Sequence, residues 1–291
     1  MSVQCYKEIT FQKQSLKMIE ILNTIIADYI DQGFRLTVRQ LYYQCVARDL
    51  LANNERNYQN LISLVNNARI AGLMDWDAIE DRTRAFSQRG KWDSPAALVE
   101  AAARGYHTDP WATQDVRVFA VVEKEALAGV FEDVCWRYDV PLLAARGYPS
   151  ASVLREFAER HLVNVDTTVH ILHFGDHDPS GIDMTRDLID RMELFSYGGA
   201  DFEVHRLALN YDQIEEHRPP PNPAKMTDSR FVKYRQRFGD KSWELDALSP
   251  TILNGIIEER IKQYIDEPQW EKWARKDKKD RARIAALAKH L

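Results

Sequence analysis

Val169-His170-Ile171-Leu172-His173-Phe174-Gly175-Asp176-His177-Asp178-Pro179-Ser180-Gly181 decides the fold. It starts as a nearly continuous apolar run, the pattern of a strand buried on both faces of a parallel sheet, and breaks into a glycine-flanked acidic turn. Upstream, Val116-Arg117-Val118-Phe119-Ala120-Val121-Val122 is a second such run and stops at Glu123. Between them the spacing predicts a helix over 124–138, a short strand over 141–144 and a helix over 150–161. Beyond the turn it predicts a helix over 182–192 and a strand over 202–209. Strand and helix alternate, so an α/β fold with a parallel sheet and right-handed crossovers is expected. Arg218-Pro219-Pro220-Pro221-Asn222-Pro223 suits neither helix nor central strand and reads as a loop.

The first part of the chain reads differently. Leu16, Ile19, Leu22, Ile26 and Ile30 form a helical stripe before Gly33. Thr37 and Gln40 form a capping-box signature opening a helix over 38–46, a third helix runs from Asn54 toward Gly72, and Ser94-Pro95 opens a fourth. Helices without strands suggest a winged-helix-like, nucleic-acid-binding module over 1–112, ahead of the sheet domain and its extension over 113–291. A chain of 291 residues accommodates two such domains.

Composition narrows the class. Hydrophobic content of 45% with seven Trp, twelve Tyr and eleven Phe supports packed cores. Cys5, Cys45 and Cys135 lie far apart, which predicts reduced core thiols and a cytoplasmic setting. No signal peptide or membrane span is legible. A net charge of −5 argues against indiscriminate coating of nucleic acid, but leaves room for local basic surfaces. Residues 271–291 carry eight Lys or Arg against three acids, either a phosphate-contacting tail or a solvated helix. Lys225, Arg230, Lys233, Arg235 and Arg237, interleaved with Phe231 and Tyr234, make a second basic stretch; Lys233 and Arg235 are the candidate DNA contacts there.

In an open α/β sheet, ligands bind beyond the carboxyl ends of the strands, where Glu123, Asp176 and Asp178 fall. Asp-x-Asp in an extended segment points both carboxylates to one side, and clustered hard oxygens suit Mg²⁺, or Mn²⁺. The same Gly-Asp-x-Asp-Pro can instead be a turn with Asx capping. Val122-Glu123, Arg146-Gly147-Tyr148-Pro149-Ser150 and Gly175-Asp176-His177-Asp178-Pro179-Ser180-Gly181-Ile182-Asp183 together resemble the Toprim domain of the topoisomerase VI A subunit and of the meiotic double-strand-break transesterase. The resemblance implies a Rossmann-like Toprim domain behind a CAP-like winged-helix domain, with Glu123, Asp176 and Asp178 as metal ligands. Glu125 and Asp183 are weaker candidates, each also explained as a first-turn acid of a helix.

Arg39-Gln40-Leu41-Tyr42-Tyr43 resembles the segment that bears the nucleophile in that family. Helical periodicity puts Tyr42 on the apolar stripe with Val38, Leu41 and Cys45, and predicts an exposed Tyr43 beside Arg39. A tyrosine hydroxyl titrates near 10 and needs a base or a nearby cation to attack; Arg39, at i−4, can supply the charge or hold a phosphate. The resemblance implies cleavage of double-stranded DNA through a 5′-phosphotyrosyl link, and a homodimer in which one protomer's Tyr43 works with the other's acids. The topoisomerase acts with a separate ATPase subunit, and this chain has no Walker A pattern, so strand passage by the chain alone is not expected. Two other readings share the acids: a Toprim nuclease using water, with Tyr43 structural, and a non-catalytic DNA-binding recruitment module.

Overall fold

The computed structural model describes residues 3–80, 90–163 and 165–288. Three helices form where the apolar spacing and the caps predict. α1 (Lys13–Asp31) buries Ile19, Leu22, Ile25, Ile26 and Tyr29. α2 (Val38–Ala47) opens on a reciprocal capping box, with Thr37 Oγ1 accepting from Gln40 N and Gln40 Oε1 from Thr37 N, so one side-chain pair satisfies two orphan donors. α3 (Glu55–Ile70) is capped by Asn54. Their buried faces share one core with Leu36, Met74, Ala78 and Ile79. Among the described residues this module adds only isolated bridges, Cys5–Ala71 and Leu36–Ile79, and no hairpin wing. α4 (Pro95–Gly105) follows, capped by Ser94.

β1 (Val116–Val122) leads through a short 3₁₀ turn, Glu125–Leu127, into α5 (Ala128–Arg137), so the helix starts later than its apolar pattern predicts. Next come β2 (Leu142–Ala144), α6 (Ala151–His161), β3 (Thr168–Phe174), α7 (Pro179–Phe195) and β4 (Phe202–Ala208). α7 begins three residues before its expected start, because Asp178 caps it and Pro179 suits its first turn. The four strands lie in the order β2-β1-β3-β4, all parallel. After β1 the chain moves to one side and then returns to the other, so β1 and β3 flank the switch point of the sheet.

Both faces of the sheet are covered, as the apolar runs predict. Val118, Ala120, Val122, Leu172 and Phe174 pack against Phe131 and Val134 of α5 and Leu253, Ile257 and Ile261 of α10 (Pro250–Lys262). Phe119, Val121, Val169 and Ile171 pack against Leu154 and Ala158 of α6 and Leu188 and Met192 of α7. Each fully buried aliphatic or Phe side chain here contributes about 1.5–3 kcal/mol.

Between β4 and α10, α8 (Tyr211–His217) precedes a small antiparallel pair, β5 (Asn222–Pro223) with β6 (Lys241–Ser242), which encloses α9 (Phe231–Phe238). The basic tail is α11 (Glu267–Leu287), which packs along α4: Trp273 Nε1 donates to Thr108 O, and Thr108 N donates to the buried Asp277. Cys45 and Cys135 are core thiols, but Cys5 is exposed, held in a terminal bridge to Ala71 rather than in a core. Among the described residues no helix is long and apolar enough to cross a membrane.

Candidate active site

β1 and β3 pair in register up to Val122–Phe174, so Glu123 and the Gly175–Gly181 loop leave the sheet side by side, with Glu123 N donating to Phe174 O at 2.9 Å. The alternation of side chains sends Glu123 and Lys124 to opposite faces. Glu123 Oε2 turns under the loop and accepts from Asp176 N at 2.8 Å. The glycines make this approach possible: a Cβ on Gly175 would stand 2.9 Å from Glu123 Oε2, and one on Gly181 only 2.2 Å from Asp176 O.

Asp176 and Asp178 take different partners. Asp176 Oδ1 accepts from Leu245 N at 2.8 Å and pairs with Lys124 Nζ at 2.9 Å. Asp178 Oδ1 accepts from Gly181 N at 2.6 Å as the N-cap of α7, so the Asx-capping alternative describes this residue. Between them His177 is locked by a two-way backbone bridge to Trp243 and by Tyr234, whose hydroxyl lies 2.9 Å from its Nδ1. Behind the loop the partly buried Arg206 guanidinium donates to the carbonyls of Gly175, Asp176, Gly181 and Leu209. A register shift between β3 and β4 at His173/Phe174 accompanies this placement, as bulges often do beside sites.

On the other face, Lys124 Nζ reaches Glu244 Oε2 at 2.6 Å and Asp246 Oδ1 at 3.2 Å, besides Asp176. Arg39 of α2 pairs with the same two acids, with Asp246 Oδ2 at 3.0 Å and with Glu244. One ionic network therefore runs from the tyrosine helix through Glu244 and Asp246 to Lys124, Asp176 and the Asp176 amide held by Glu123. Its charges do not balance: Glu123, Asp176, Asp178, Glu244 and Asp246 face Arg39, Lys124 and Arg206. Burial, with Asp176 and Asp178 as neighbours, pushes the Glu123 carboxyl up to about 7. Burial, opposed by Lys124 but reinforced by Asp246 and Glu244, pushes Asp176 up to about 6. Burial also lowers Arg206 to about 10.

Tyr43 is not exposed. It is 3% accessible, as buried as Tyr42, because the flank of α2 opposite its apolar stripe is covered by the segment around Asn222 and Glu244. Asn222 Nδ2 lies 3.3 Å from the Tyr43 hydroxyl, and the Arg39 guanidinium lies 6.0 Å from its ring, the expected i−4 neighbour. Burial and the charges of Glu244 and Asp246 push the Tyr43 hydroxyl up to about 12, while Arg39 lowers it only in part. In this conformation the tyrosine is a proton-bearing group, and Arg39 is committed to two carboxylates.

Lys233 and Arg235 lie on exposed positions of α9; Arg235 pairs with Asp240 at 2.6 Å, and Lys233 makes no ion pair among the described residues. Phe231 and Tyr234, interleaved with the basic residues in sequence, point inward with Ala224 and form no stacking platform. Glu125 pairs with Arg146, and Asp183 binds Arg186, Arg230 and Tyr148, so neither belongs to the acidic site. The Arg146–Ser150 segment closes the rim of the loop through Tyr148 and caps α6 with Ser150.

The acids fit a hard divalent ion in donor type, in excess negative charge and in keeping one carboxylate oxygen each outside the bonds above. They do not converge: among the described residues, ligand atoms of Glu123, Asp176 and Asp178 do not all lie within 4.8 Å of one another. Lys124, Arg206, Glu244 and Asp246 were not singled out in the sequence. The one local signal was charge inside or beside buried strands, at Arg206 and Lys124; Glu244 and Asp246 sit in a segment without a motif. Comparison with protein-family models, curated proteins and solved structures finds no match to this chain.

Proposed function

We propose that this protein cleaves double-stranded DNA at the switch point of its sheet, by transesterification through Tyr43, with Glu123, Asp176 and Asp178 as the divalent-ion site of a Toprim-type domain. The observation that carries the reading is the ionic network joining the Tyr43–Arg39 helix to the acid loop within one chain. The three acids, which do not converge in this conformation, would have to draw together to hold Mg²⁺ or Mn²⁺, which would neutralise charge on the phosphodiester. Glu123 holds the loop by its amide, Arg206 holds it by its carbonyls, and Lys124 opposes the upward pull of burial on Asp176. Releasing Arg39 from Glu244 and Asp246 frees a guanidinium to bind the phosphate and favour the phenolate. The Tyr43 oxygen then bonds to phosphorus, its proton passes to solvent, the P–O3′ bond breaks, and the 3′ oxygen leaves and takes up a proton. The helical module, read as winged-helix-like, binds the duplex; a homodimer supplies one site per strand, each built within one chain rather than from Tyr43 of one protomer and the acids of the other, and a separate ATPase subunit would be needed for topoisomerase strand passage.

A second reading, in which water attacks and Tyr43 is structural, is favoured by the burial of Tyr43 and its raised hydroxyl. The test is denaturation of protein–DNA mixtures after incubation with Mg²⁺ or Mn²⁺. A covalent 5′ adduct that disappears in Tyr43→Phe supports the transesterase. Free ends made equally well by Tyr43→Phe and lost in Asp176→Ala select the nuclease. No cleavage with either ion, alongside retained DNA binding, selects the recruitment module.

A further inference from the structure

A second cluster lies on the sheet away from the acids. His170 of β3 and Glu203 and His205 of β4 point to one face: His170 is in register with Glu203, and Leu172 with His205. It is the face that carries Leu172 and Phe174 and packs on α10. From His170 to Asp176 the chain advances about 20 Å in extended conformation, so the cluster is separate from the acid loop.

Its geometry is that of a coordination shell. His170 Nδ1 and His205 Nε2 are 3.0 Å apart; Glu203 Oε2 is 3.7 Å from the first and 3.2 Å from the second. A tetrahedral ion with bonds of about 2.0–2.1 Å sets its ligand atoms about 3.3–3.4 Å apart, the mean of these edges. A neutral imidazole can present an unprotonated nitrogen and a carboxylate oxygen accepts, so three lone pairs are available to one point. A cation at that point satisfies all three. Tyr264, just past α10, stacks on the His170 ring with centroids 4.2 Å apart, and its hydroxyl lies 3.2 Å from His205 Nε2. That hydroxyl stands beside the position a fourth ligand or a bound water would take. Glu203 is largely exposed and offers an entry path, while His170 is buried. Asp201 and Arg260 are the other charges close by.

We propose that His170, Glu203 and His205 bind one divalent ion of the zinc class, clasping the edge strand β4 to β3 with a fourth position at Tyr264. Two imidazoles and one carboxylate select a borderline ion such as Zn²⁺ over Mg²⁺, whose preference is for oxygen. The site shares no residue with the proposed cleavage centre, so either assignment can fail without the other.

The test uses the full-length protein after chelator treatment, titrated with Zn²⁺ against a chromophoric chelator and, separately, with Co²⁺. One equivalent of Zn²⁺ and the visible absorption of four-coordinate Co²⁺ are expected in the wild type. His205→Gln and Glu203→Gln should each weaken Zn²⁺ binding by about 100-fold or more, the scale set by losses even of outer-shell partners. Because Glu203 is exposed, Glu203→Gln keeps the fold, which circular dichroism checks. Absence of Zn²⁺ binding at micromolar concentration, or equal binding by wild type and both variants, overturns the site.

Discussion

β3 puts polar side chains into an apolar sheet twice, in two different ways. At its carboxyl end, acids meet cations that the chain itself supplies: Lys124 at Asp176, Glu244 and Asp246, and Arg206 behind the loop carbonyls. In its first half, His170 meets His205 and Glu203, with Tyr264 beside them. The first is a charged network with donors in excess of built-in cations; the second is a set of ligand atoms facing an uncharged centre. The difference teaches that buried carboxylates at a strand end require permanent counter-charges to fold, whereas neutral imidazoles can be buried first and take a cation afterwards.

The comparison breaks if the acid end does no chemistry. Asp176→Ala should lower metal-dependent DNA cleavage by about 10³-fold, the scale of lost charge stabilisation at a reacting centre, measured by initial rates on a labelled duplex. Unchanged rates would remove the active site from the switch point.

Next in size is a stability contrast. Lys124→Met removes the cation that Asp176 shares with Glu244 and Asp246, leaving Arg39 on the last two, and should cost about 3–5 kcal/mol in urea denaturation of metal-free protein. Glu203→Gln, in the same assay, should stay within about 0.5 kcal/mol because its side chain is exposed. Equal effects would mean that Lys124 is not an internal counter-ion.

A smaller effect separates the two groups by pH. His173, buried between them, is pushed down to about 3 by burial and by Arg206. The folded state therefore refuses a proton that the unfolded chain accepts near 6.5, so stability is full above that value and falls as pH drops toward 3. From pH 7 to 5 this one group should remove about 2 kcal/mol, and His173→Gln should flatten the profile of denaturation midpoints over that range. A variant profile as steep as the wild type would assign the acid sensitivity elsewhere.

The smallest expected change is on the surface. Lys233→Ala should leave the denaturation midpoint in place and lower the salt slope of DNA binding by about 1, read from affinities at several salt concentrations. An unchanged slope would remove α9 from the DNA-facing surface.

Much of this molecule was legible in one dimension. The apolar-rich runs 116–122 and 169–174 specified a parallel sheet, because strands buried on both faces carry few polar positions. Thr37–Gln40, Asn54, Ser94–Pro95 and Ser150 marked helix starts, because capping is a local hydrogen-bond pattern. The position of Glu123 and Asp176 just past the strand ends was legible too, because sequence order carries it. The position of Tyr43 was not legible. Periodicity reports which stripe of a helix is apolar, and it cannot report that Asn222 and Glu244, some two hundred residues away, close over the other flank. Glu244, Asp246, Lys124 and Arg206 escaped for the same reason: a charge has meaning only beside its partner, and these partners meet through long-range packing. Local spacing determined the strands, the caps and the acids at the strand ends. Tertiary structure alone decided that the tyrosine is buried, that its arginine is committed to two carboxylates, and that two histidines and a glutamate on neighbouring strands face one point.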